Sequence, residues 1–278
     1  RAVDTQQIAP APRNPIDVLF VIDDSGSMGP EQANLAANLE SFLEVFRSNQ
    51  ADFHLGVITT DMIAENRKGR LVAPFVTQDT PSLTQAFQAM VNVGSNGSSD
   101  EQALAAISAA TSEPLLSSVN QGFIRPSADL AIVLLGDEDD GSALTPDQVA
   151  TQVKFLKSSA AVTVGGFAGL GGLDCLFPGV VENWKISRFI KAFPTNVEGV
   201  CTRDMSVLRS IAGQAQNRRC IVPLKWPVDG DSGVRVFVNG APASYVQLYQ
   251  EGDATPQVEV SPCPPQGGEL TVIYDSCW

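Results

Sequence analysis

The sequence predicts a three-layer α/β fold in which helices cover both faces of a mainly parallel central sheet. Short apolar runs alternate along the chain with longer segments whose apolar residues recur at helical spacing. The apolar runs consist almost entirely of Val, Ile, Leu and Phe, which is typical of strands that are buried on both faces. Because strands and helices alternate, crossover connections and a parallel sheet are favoured.

The predicted strands are 16–22, 53–60, 70–75, 129–136 and 160–167. Helices are predicted between and after them, wherever apolar residues recur on one side of a helix. Their inward faces are Leu35, Leu39, Phe42, Leu43 and Phe46; Leu83, Phe87, Met90 and Val91; Leu104 and Ile107; Val149, Val153 and Leu156; Ile186, Phe189, Ile190 and Phe193; and Leu208, Ile211, Ala212 and Ala215. The second helix is expected to begin at Thr80-Pro81. Two helices have a capping-box pattern before them, one at Ser98 and Glu101 and one at Thr145 and Gln148.

Three regions are expected along the chain. Residues 1–15 contain three prolines among small and polar residues and are predicted to form a tether. Residues 16–219 form the α/β domain. Residues 220–278 contain short alternating segments, such as 234–238 and 270–274, which predict a small antiparallel β extension. Its hairpin turns are expected at 229–231, 239–240 and 267–268.

Composition limits the classes of partner. The chain has 278 residues, a net charge of −13 and a pI of about 4.4, without a cluster of lysine and arginine. Nucleic acid and anionic membrane surfaces are therefore poor candidates for partners. No apolar run approaches the ~20 residues that span a bilayer. The sequence begins at Arg1 without a start methionine or signal peptide, so we interpret it as a mature or trimmed form.

Five cysteines lie in the second half of the chain. Two disulfides and one further thiol are expected, which places the protein in an oxidising compartment. We favour pairing Cys175 with Cys201 and Cys263 with Cys277, while Cys220 with Cys263 or with Cys277 stays open. The alternative is a set of buried thiols in a cytosolic protein.

A candidate metal site follows the first strand. Asp23, Ser25 and Ser27 place a carboxylate and two hydroxyls at alternate positions where a strand ends and a helix begins. Such oxygen ligands suit Mg²⁺, Mn²⁺ or Ca²⁺ better than zinc. Asp137 ends the strand 129–136 in the same way. Because ligands of open α/β sheets bind at the carboxyl ends of the strands, Asp23 and Asp137 are expected to meet there.

This pattern resembles the metal-ion-dependent adhesion site of von Willebrand factor type A domains, and the resemblance covers roughly residues 16–219. Segments 58–62 and 136–140 are similar to those of secreted or surface-anchored bacterial members. The resemblance implies a three-layer, Rossmann-like fold. It also implies a bound Mg²⁺, with Mn²⁺ or Ca²⁺ as alternatives, whose open coordination position takes a carboxylate from a partner protein.

The second loop of the chain departs from this family pattern. It has no threonine where the family usually has one, so Ser95 or Ser98 must replace it, and Ser95 is preferred because Ser98 belongs to the capping box. The carboxylates of 138–140 follow Asp137 where the family usually has glycine. They are predicted to form a solvated acidic loop, with a second cation site as the alternative.

Other polar residues near these segments have ordinary interpretations. Asp24 and Glu31 are expected to be solvent-facing or helix-start charges, and His54 to be a packed histidine. Asp61 is predicted either to hydrogen-bond to metal-bound water or to be structural.

The sequence therefore predicts a binding module rather than an enzyme. Two aspartates only neutralise a divalent ion, which leaves the ion able to accept an acidic group from a partner. A hydrolase would need a general base beside the metal, and this segment offers only carboxylates. We expect an extracytoplasmic adhesion module, secreted, periplasmic or tethered at the surface through its N-terminus. The alternatives are a subunit of an intracellular chaperone or metal-insertion complex, and a scaffold domain that holds no ligand at the metal.

Overall fold

The computed structural model of the chain describes residues 2–8, 15–48, 51–136, 138–157, 162–168, 185–193, 195–198, 208–209, 212–213, 220–225, 228, 233–247, 256–260 and 269–276. The chain divides into two compact units. The α/β unit is Asn14–Ala215, and the β unit combines Arg1–Arg13 with Gln216–Trp278.

The β unit contains two antiparallel sheets. Its strands are β1 (Ala2–Ile8), β8 (Cys220–Pro223), β9 (Arg235–Val238), β10 (Ala241–Pro242), β11 (Tyr245–Gln247), β12 (Gln257–Val260) and β13 (Leu270–Ser276). One sheet has the order β1-β13-β9-β10 and the other β11-β12-β8. Valines, leucines and Tyr274 form a core of their own in this unit. The small antiparallel extension predicted from the sequence is therefore confirmed.

Residues 2–8 form a strand, whereas the sequence predicted a tether over 1–15. Every residue of β1 pairs with β13, from Ala2 opposite Ser276 to Ile8 opposite Leu270. The three prolines that suggested a tether all lie after this strand. Residues 2–8 are free of proline, so each backbone N–H is available to the ladder.

The hairpin predicted at 239–240 is present between β9 and β10. Asn239 and Gly240 have φ angles of 50° and 79°. Two consecutive positive φ values are those of a type I′ turn, which Asn-Gly favours. The turns predicted at 229–231 and 267–268 lie outside the described residues. So do Cys175, Cys201, Cys263, Cys277 and the side chain of Cys220, so the disulfide pairing stays a prediction.

The α/β unit is built on a six-stranded sheet, and the predicted α/β fold is confirmed. Its strands are β2 (Ile16–Ile22), β3 (Phe53–Thr59), β4 (Val76–Thr77), β5 (Asp129–Gly136), β6 (Val162–Ala168) and β7 (Thr195–Glu198). The sheet order is β4-β3-β2-β5-β6-β7. All neighbouring pairs are parallel except β3 and β4.

The strand predicted at 70–75 is wrong, because these residues run as irregular chain toward the short edge strand β4. Val72 N–H donates one bond to Val57 O (2.9 Å), and Pro74 has no N–H to donate. Leu71 and Phe75 pack into the core on one face of the sheet, and Val72 and Ala73 into the core on the other. The segment thus crosses the edge of the sheet, and its apolar run reflects burial on two sides.

Five helices cover the sheet in the described part of the α/β unit: α1 (Gly29–Ser48), α2 (Leu83–Val91), α3 (Ala103–Ala110), α4 (Pro146–Leu156) and α5 (Lys185–Lys191). The predicted faces of α1 and α2 pack with one face of the sheet, and those of α3, α4 and α5 with the other. Leu208 and Ala212 join the first of these cores, while Ile211 and Ala215 lie outside the described residues. No helix among the described residues is long and apolar enough to cross a bilayer.

The capping box predicted for α4 is confirmed. Gln148 N–H donates to Thr145 Oγ1 (3.3 Å), and Thr145 N–H donates to Gln148 Oε1 (2.8 Å). Pro146 occupies the first helical position, where no N–H is required.

Candidate metal centre

Parallel register brings the ends of three central strands to one edge of the sheet. Ile22 lies opposite Thr59 of β3 and Leu135 of β5. The next residues continue this alignment, since Asp23 N–H donates to Leu135 O (2.9 Å) and Thr60 N–H donates to Ile22 O (3.2 Å). The loops that follow β2, β3 and β5 therefore begin side by side.

The first loop brings together Asp23, Ser25 and Ser27, three residues predicted to bind the ion. Asp23 is 1% exposed, and its Oδ1 accepts a hydrogen bond from Ser25 N–H (2.8 Å). Ser25 is buried, and its Oγ lies 3.3 Å from Oγ of the exposed Ser27. Three side-chain oxygens of one short loop are thus grouped at the start of α1.

Gln32 joins this loop to the second one. Its Nε2 donates to Asp23 O (2.9 Å) and to Gly94 O (2.8 Å), and its Oε1 accepts from Gly94 N–H (3.2 Å). Sequence reasoning did not identify Gln32. The available signal was its spacing, because it stands three residues before Leu35 on the buried stripe of α1 and is itself 3% exposed.

Replacing Gln32 by methionine is expected to lower the free energy of unfolding by about 1–3 kcal/mol, because buried backbone groups lose their partners. Amide hydrogen exchange at Gly94 should quicken, and the affinity of the site for a divalent ion should fall. Urea unfolding, exchange mass spectrometry and calorimetric titration measure the three effects.

Gln88→Met is the matched control, since Gln88 Nε2 donates to Ala36 O (2.9 Å) between α2 and α1, away from these loops. It should reduce stability and leave cation affinity unchanged. If the two variants affect cation affinity equally, Gln32 has no special role in the site.

Gly97 fixes the second loop at another point. Its N–H donates to Asp24 O (2.7 Å), and a Cβ atom at this position would lie 2.4 Å from Cγ of Asp24. Ser95, which is half-buried, therefore lies between Gly94, which is bound to Gln32 of α1, and Gly97, which is bound to the first loop. The hydroxyl of Ser98 accepts from Asp100 N–H (2.9 Å) and holds a local turn. Whether Ser95 or Ser98 serves as a ligand stays a prediction.

The capping box predicted for Ser98 and Glu101 is wrong. The helix α3 begins at Ala103 with Gln102 at the N-cap, and no side chain of the cap residue bonds to its first turn. Asp140 caps this helix instead, because its Oδ1 accepts from Leu104 N–H (2.9 Å). Ser98 and Glu101 lie too early in the chain to reach the helix start.

Glu101 extends into the site and is 5% exposed. Its Oε2 accepts a hydrogen bond from the hydroxyl of Thr60, and its Oε1 is buried without a hydrogen-bond partner. Burial, together with the nearby charges of Asp23 and Asp24, raises the pKa of the Glu101 carboxyl to about 8, and the Thr60 hydrogen bond opposes this rise. Two carboxyl groups from distant parts of the sequence are thus buried beside each other.

The third loop carries Asp137, which lies outside the described residues, so its role stays a prediction. Glu138 and Asp139 are exposed, and Asp139 Oδ1 accepts from Lys185 N–H (3.0 Å) at the start of α5. Asp140 is 5% exposed, accepts from the backbone and hydroxyl of Ser142, and lies 3.7 Å from Lys185 Nζ. The prediction of a solvated acidic loop is therefore wrong for Asp140, because this buried residue contacts the first turns of α3 and α5.

Asp24 is also buried, contrary to the prediction of a solvent-facing or helix-start charge. It is 2% exposed, and Oδ2 lies 3.5 Å from Nε of Arg67. Burial raises the pKa of Asp24 to about 6, and the Arg67 charge opposes this rise. Glu31 lies in the first turn of α1.

Two other polar residues have structural contacts. Asp61 Oδ1 accepts from Ile63 N–H (2.7 Å) and Ala64 N–H (3.0 Å), and so holds the loop after β3. His54 stacks on Phe75 with ring centroids 4.3 Å apart, and its Nδ1 lies 2.9 Å from Phe123 O. The histidine is packed, as the sequence predicted.

A small cavity of ≈ 20 Å³ lies at this edge of the sheet, with room for about one water molecule or a bare ion. Asp23, Glu101, Thr60 and Gly136 are among the residues that line it. The two buried carboxyls and the unpartnered Glu101 oxygen suit a hard cation. Among the described residues, no three Asp, Glu, His or Cys side chains group closely enough to hold a metal. Hydroxyls or Asp137 would have to complete the coordination.

Comparison with known proteins gives matches among solved structures. No protein-family model matches the sequence, and no curated protein matches it. The pilus adhesin SpaC from Lactobacillus rhamnosus GG, in its open conformation, is similar over 98% of this chain and 40% of its own, with 13% identity and a TM-score of 0.51. This likeness supports the fold observed here, with helices on both faces of the sheet.

The chain has a von Willebrand factor type A fold. A von Willebrand factor type A structure from Catenulispora acidiphila matches over 99% of this chain and 65% of its own, at 16% identity and a TM-score of 0.45. Proximal thread matrix protein 1 from the mussel byssus, with a zinc-occupied MIDAS motif, matches over 76% and 48%, at 15% identity and a TM-score of 0.45. The von Willebrand-type unit here carries Asp23, Ser25 and Ser27 at the end of β2, where the resemblance implied them.

Proposed function

We propose that the von Willebrand-type unit is a metal-dependent protein-binding module of the adhesion type. It would hold Mg²⁺, or alternatively Mn²⁺ or Ca²⁺, through Asp23, Ser25, Ser27 and Asp137, with Ser95 or Ser98 as a further ligand. The observation that carries this proposal is the burial of Asp23 beside grouped serine hydroxyls, next to a cavity at the carboxyl ends of the strands. The partner would be a protein that presents a carboxylate to the ion.

The chemistry of the site supports binding rather than catalysis. A metal-dependent hydrolase needs a general base that can reach the bound water. The single histidine of the chain packs between Phe75 and the carbonyl of Phe123. Asp140, which lines the cavity, is committed to Leu104 N–H. We therefore propose a non-enzymatic role.

An extracytoplasmic location belongs to the same proposal. The structure that is similar at a TM-score of 0.51 is a pilus adhesin, and an adhesion role outside the cytoplasm fits this proposal. Five cysteines in the chain fit an oxidising compartment.

Substituting Asp23 with asparagine tests the proposed metal centre. The side-chain oxygen that accepts from Ser25 N–H is kept, while the negative charge is lost. We expect the dissociation constant for Mn²⁺, measured by calorimetry on the full chain, to rise at least ~10-fold. In the wild type, acetate should lower the water-proton relaxation caused by bound Mn²⁺, because a carboxylate replaces a coordinated water.

Asp79→Asn makes the same chemical change at an exposed position before α2 and should bind Mn²⁺ like the wild type. Absence of cation binding in the wild type, or equal binding by Asp23→Asn, would overturn the metal centre. Cation binding without any response to acetate would overturn the carboxylate-capture mechanism.

A further inference from the structure

Glu101 is held at the site by its backbone on two sides. Its carbonyl accepts from Gly141 N–H (2.6 Å) in the third loop, and Gln102 N–H donates to Thr60 O (3.1 Å) at the end of β3. The residue therefore lies between the ends of β3 and β5, two residues before α3 begins. Its position is set by these contacts rather than by a cap of the helix.

The side chain of Glu101 is equally constrained. Thr60 donates its hydroxyl hydrogen to Oε2, while Oε1 has no hydrogen-bond partner although it is buried. The residue lines the same cavity as Asp23. A buried carboxylate oxygen without a donor, beside a second carboxylate, is stabilised when a cation occupies the space between them.

Asp140 and Glu138, which also line the cavity, do not have this property. Asp140 accepts hydrogen bonds from Leu104 and Ser142 through its two oxygens. Glu138 is exposed and is solvated by water. Glu101 thus differs from Asp140 and Glu138 in combining burial with an unpartnered oxygen.

We infer that Glu101 is a ligand of the cation in this centre and that it makes the site selective for Ca²⁺ over Mg²⁺; this rests on the proposed function. With Glu101, the site has the carboxylates of Asp23 and Glu101 and, as predicted from the sequence, that of Asp137. Ca²⁺ accepts many carboxylate oxygens in a flexible geometry, whereas Mg²⁺ requires near-octahedral coordination and keeps several waters.

Calorimetric titration of the full chain with CaCl₂ and with MgCl₂ tests this assignment on the wild type, Glu101→Gln and Glu138→Gln. Glutamine keeps an oxygen that can accept from Thr60 and removes the charge. We expect the dissociation constant for Ca²⁺ to rise at least ~10-fold in Glu101→Gln and that for Mg²⁺ to change less than ~3-fold. Glu138→Gln, which removes an exposed carboxylate from the lining of the same cavity, should bind both ions like the wild type.

Melting temperatures in EDTA control for folding. Glu101→Gln should melt close to the wild type without metal, because glutamine keeps the side-chain size and an oxygen that can accept from the Thr60 hydroxyl. Added Ca²⁺ should raise the melting temperature of the wild type more than that of the variant. A melting temperature in EDTA well below that of the wild type would contradict this expectation and assign Glu101 a structural role.

The outcomes separate this inference from the proposed function. Unchanged Ca²⁺ affinity in Glu101→Gln, with binding still lost in Asp23→Asn, would overturn the role of Glu101 and leave the metal centre intact. If Ca²⁺ binding is lost in Glu138→Gln instead, the ligand is Glu138 and the assignment to Glu101 is wrong. A wild type that binds neither ion would overturn both proposals.

Discussion

Asp17→Asn is expected to lower the free energy of unfolding of the α/β unit by about 3–5 kcal/mol, because it breaks a buried charge network. Asp17 is fully buried near the amino end of β2. Its oxygens accept from Arg125 N–H (2.6 Å) and Arg125 Nε–H (2.8 Å), and Lys157 Nζ lies 3.7 Å away. Burial raises the pKa of Asp17 and lowers that of Lys157, while the attraction between the two charges opposes both shifts.

The loss of Asp17 would leave Arg125 and the buried Lys157 short of negative charge. Urea unfolding followed by circular dichroism at 222 nm reports on the α/β unit, since the helices of the described residues all belong to it. The matched control is Asp52→Asn. Asp52 also pairs with Arg125, at 2.6 Å, but its side chain is 54% exposed.

Asp52→Asn should lower the free energy of unfolding by less than about 1 kcal/mol, because solvent screens an exposed ion pair. If both variants lose the same free energy of unfolding, burial does not determine how much these ion pairs contribute to stability. A loss below about 1 kcal/mol for Asp17→Asn would show that asparagine satisfies the same partners without its charge.

The fold could be predicted because its main elements are specified by local patterns. The runs that became β2 and β5 each contain one charged residue, Asp17 or Asp129, and are otherwise apolar, and the stripe from Leu35 to Phe46 became the buried face of α1. The failure at 70–75 has a different origin. That segment is apolar because it packs on both sides of a sheet edge, and the local signal against a buried strand was Pro74, which has no N–H for the ladder.

The candidate site could be predicted only in its first loop. Asp23, Ser25 and Ser27 are close in sequence, so their spacing carries the information. Gln32 contacts Gly94 across 62 residues, and Thr60 contacts Glu101 across 41. Such contacts depend on how loops from different strands meet. The pattern at Ser98 and Glu101 satisfied a local rule for helix caps, but Asp140 occupies that role from the third loop.

The structure suggests that the loops of the site are ordered by protein contacts rather than by the ion alone. Gln32 holds the second loop to the first, and Asp140 holds the third loop to α3. A preorganised site loses less conformational freedom when it binds an ion. Contacts between loops should therefore affect cation affinity as strongly as a ligand does, and the bond from Gly97 N–H to Asp24 O (2.7 Å) is one of them.

Gly97→Ala is expected to reduce cation affinity by at least ~10-fold and to lower the free energy of unfolding by about 1–3 kcal/mol. The new Cβ atom would lie 2.4 Å from Asp24 Cγ and 2.8 Å from Asp24 O. The Asp24 carboxyl cannot move aside easily, because it is buried and lies beside Arg67. The second loop must move instead, which lengthens the bond from Gly97 N–H to Asp24 O and displaces Ser95.

Gly26→Ala is the control, because it adds the same methyl group inside the Asp23–Ser27 loop. A Cβ atom at position 26 would have no atom within 4 Å apart from its neighbours in the chain. Calorimetric titration with MgCl₂ and CaCl₂, together with urea unfolding, compares the two variants. We expect Gly26→Ala to bind both ions like the wild type. If the methyl group at position 26 weakens binding and the one at 97 does not, the first loop alone organises the site and the second contributes nothing to it. If Gly97→Ala binds normally but is less stable, the loop contact serves folding and not the ion.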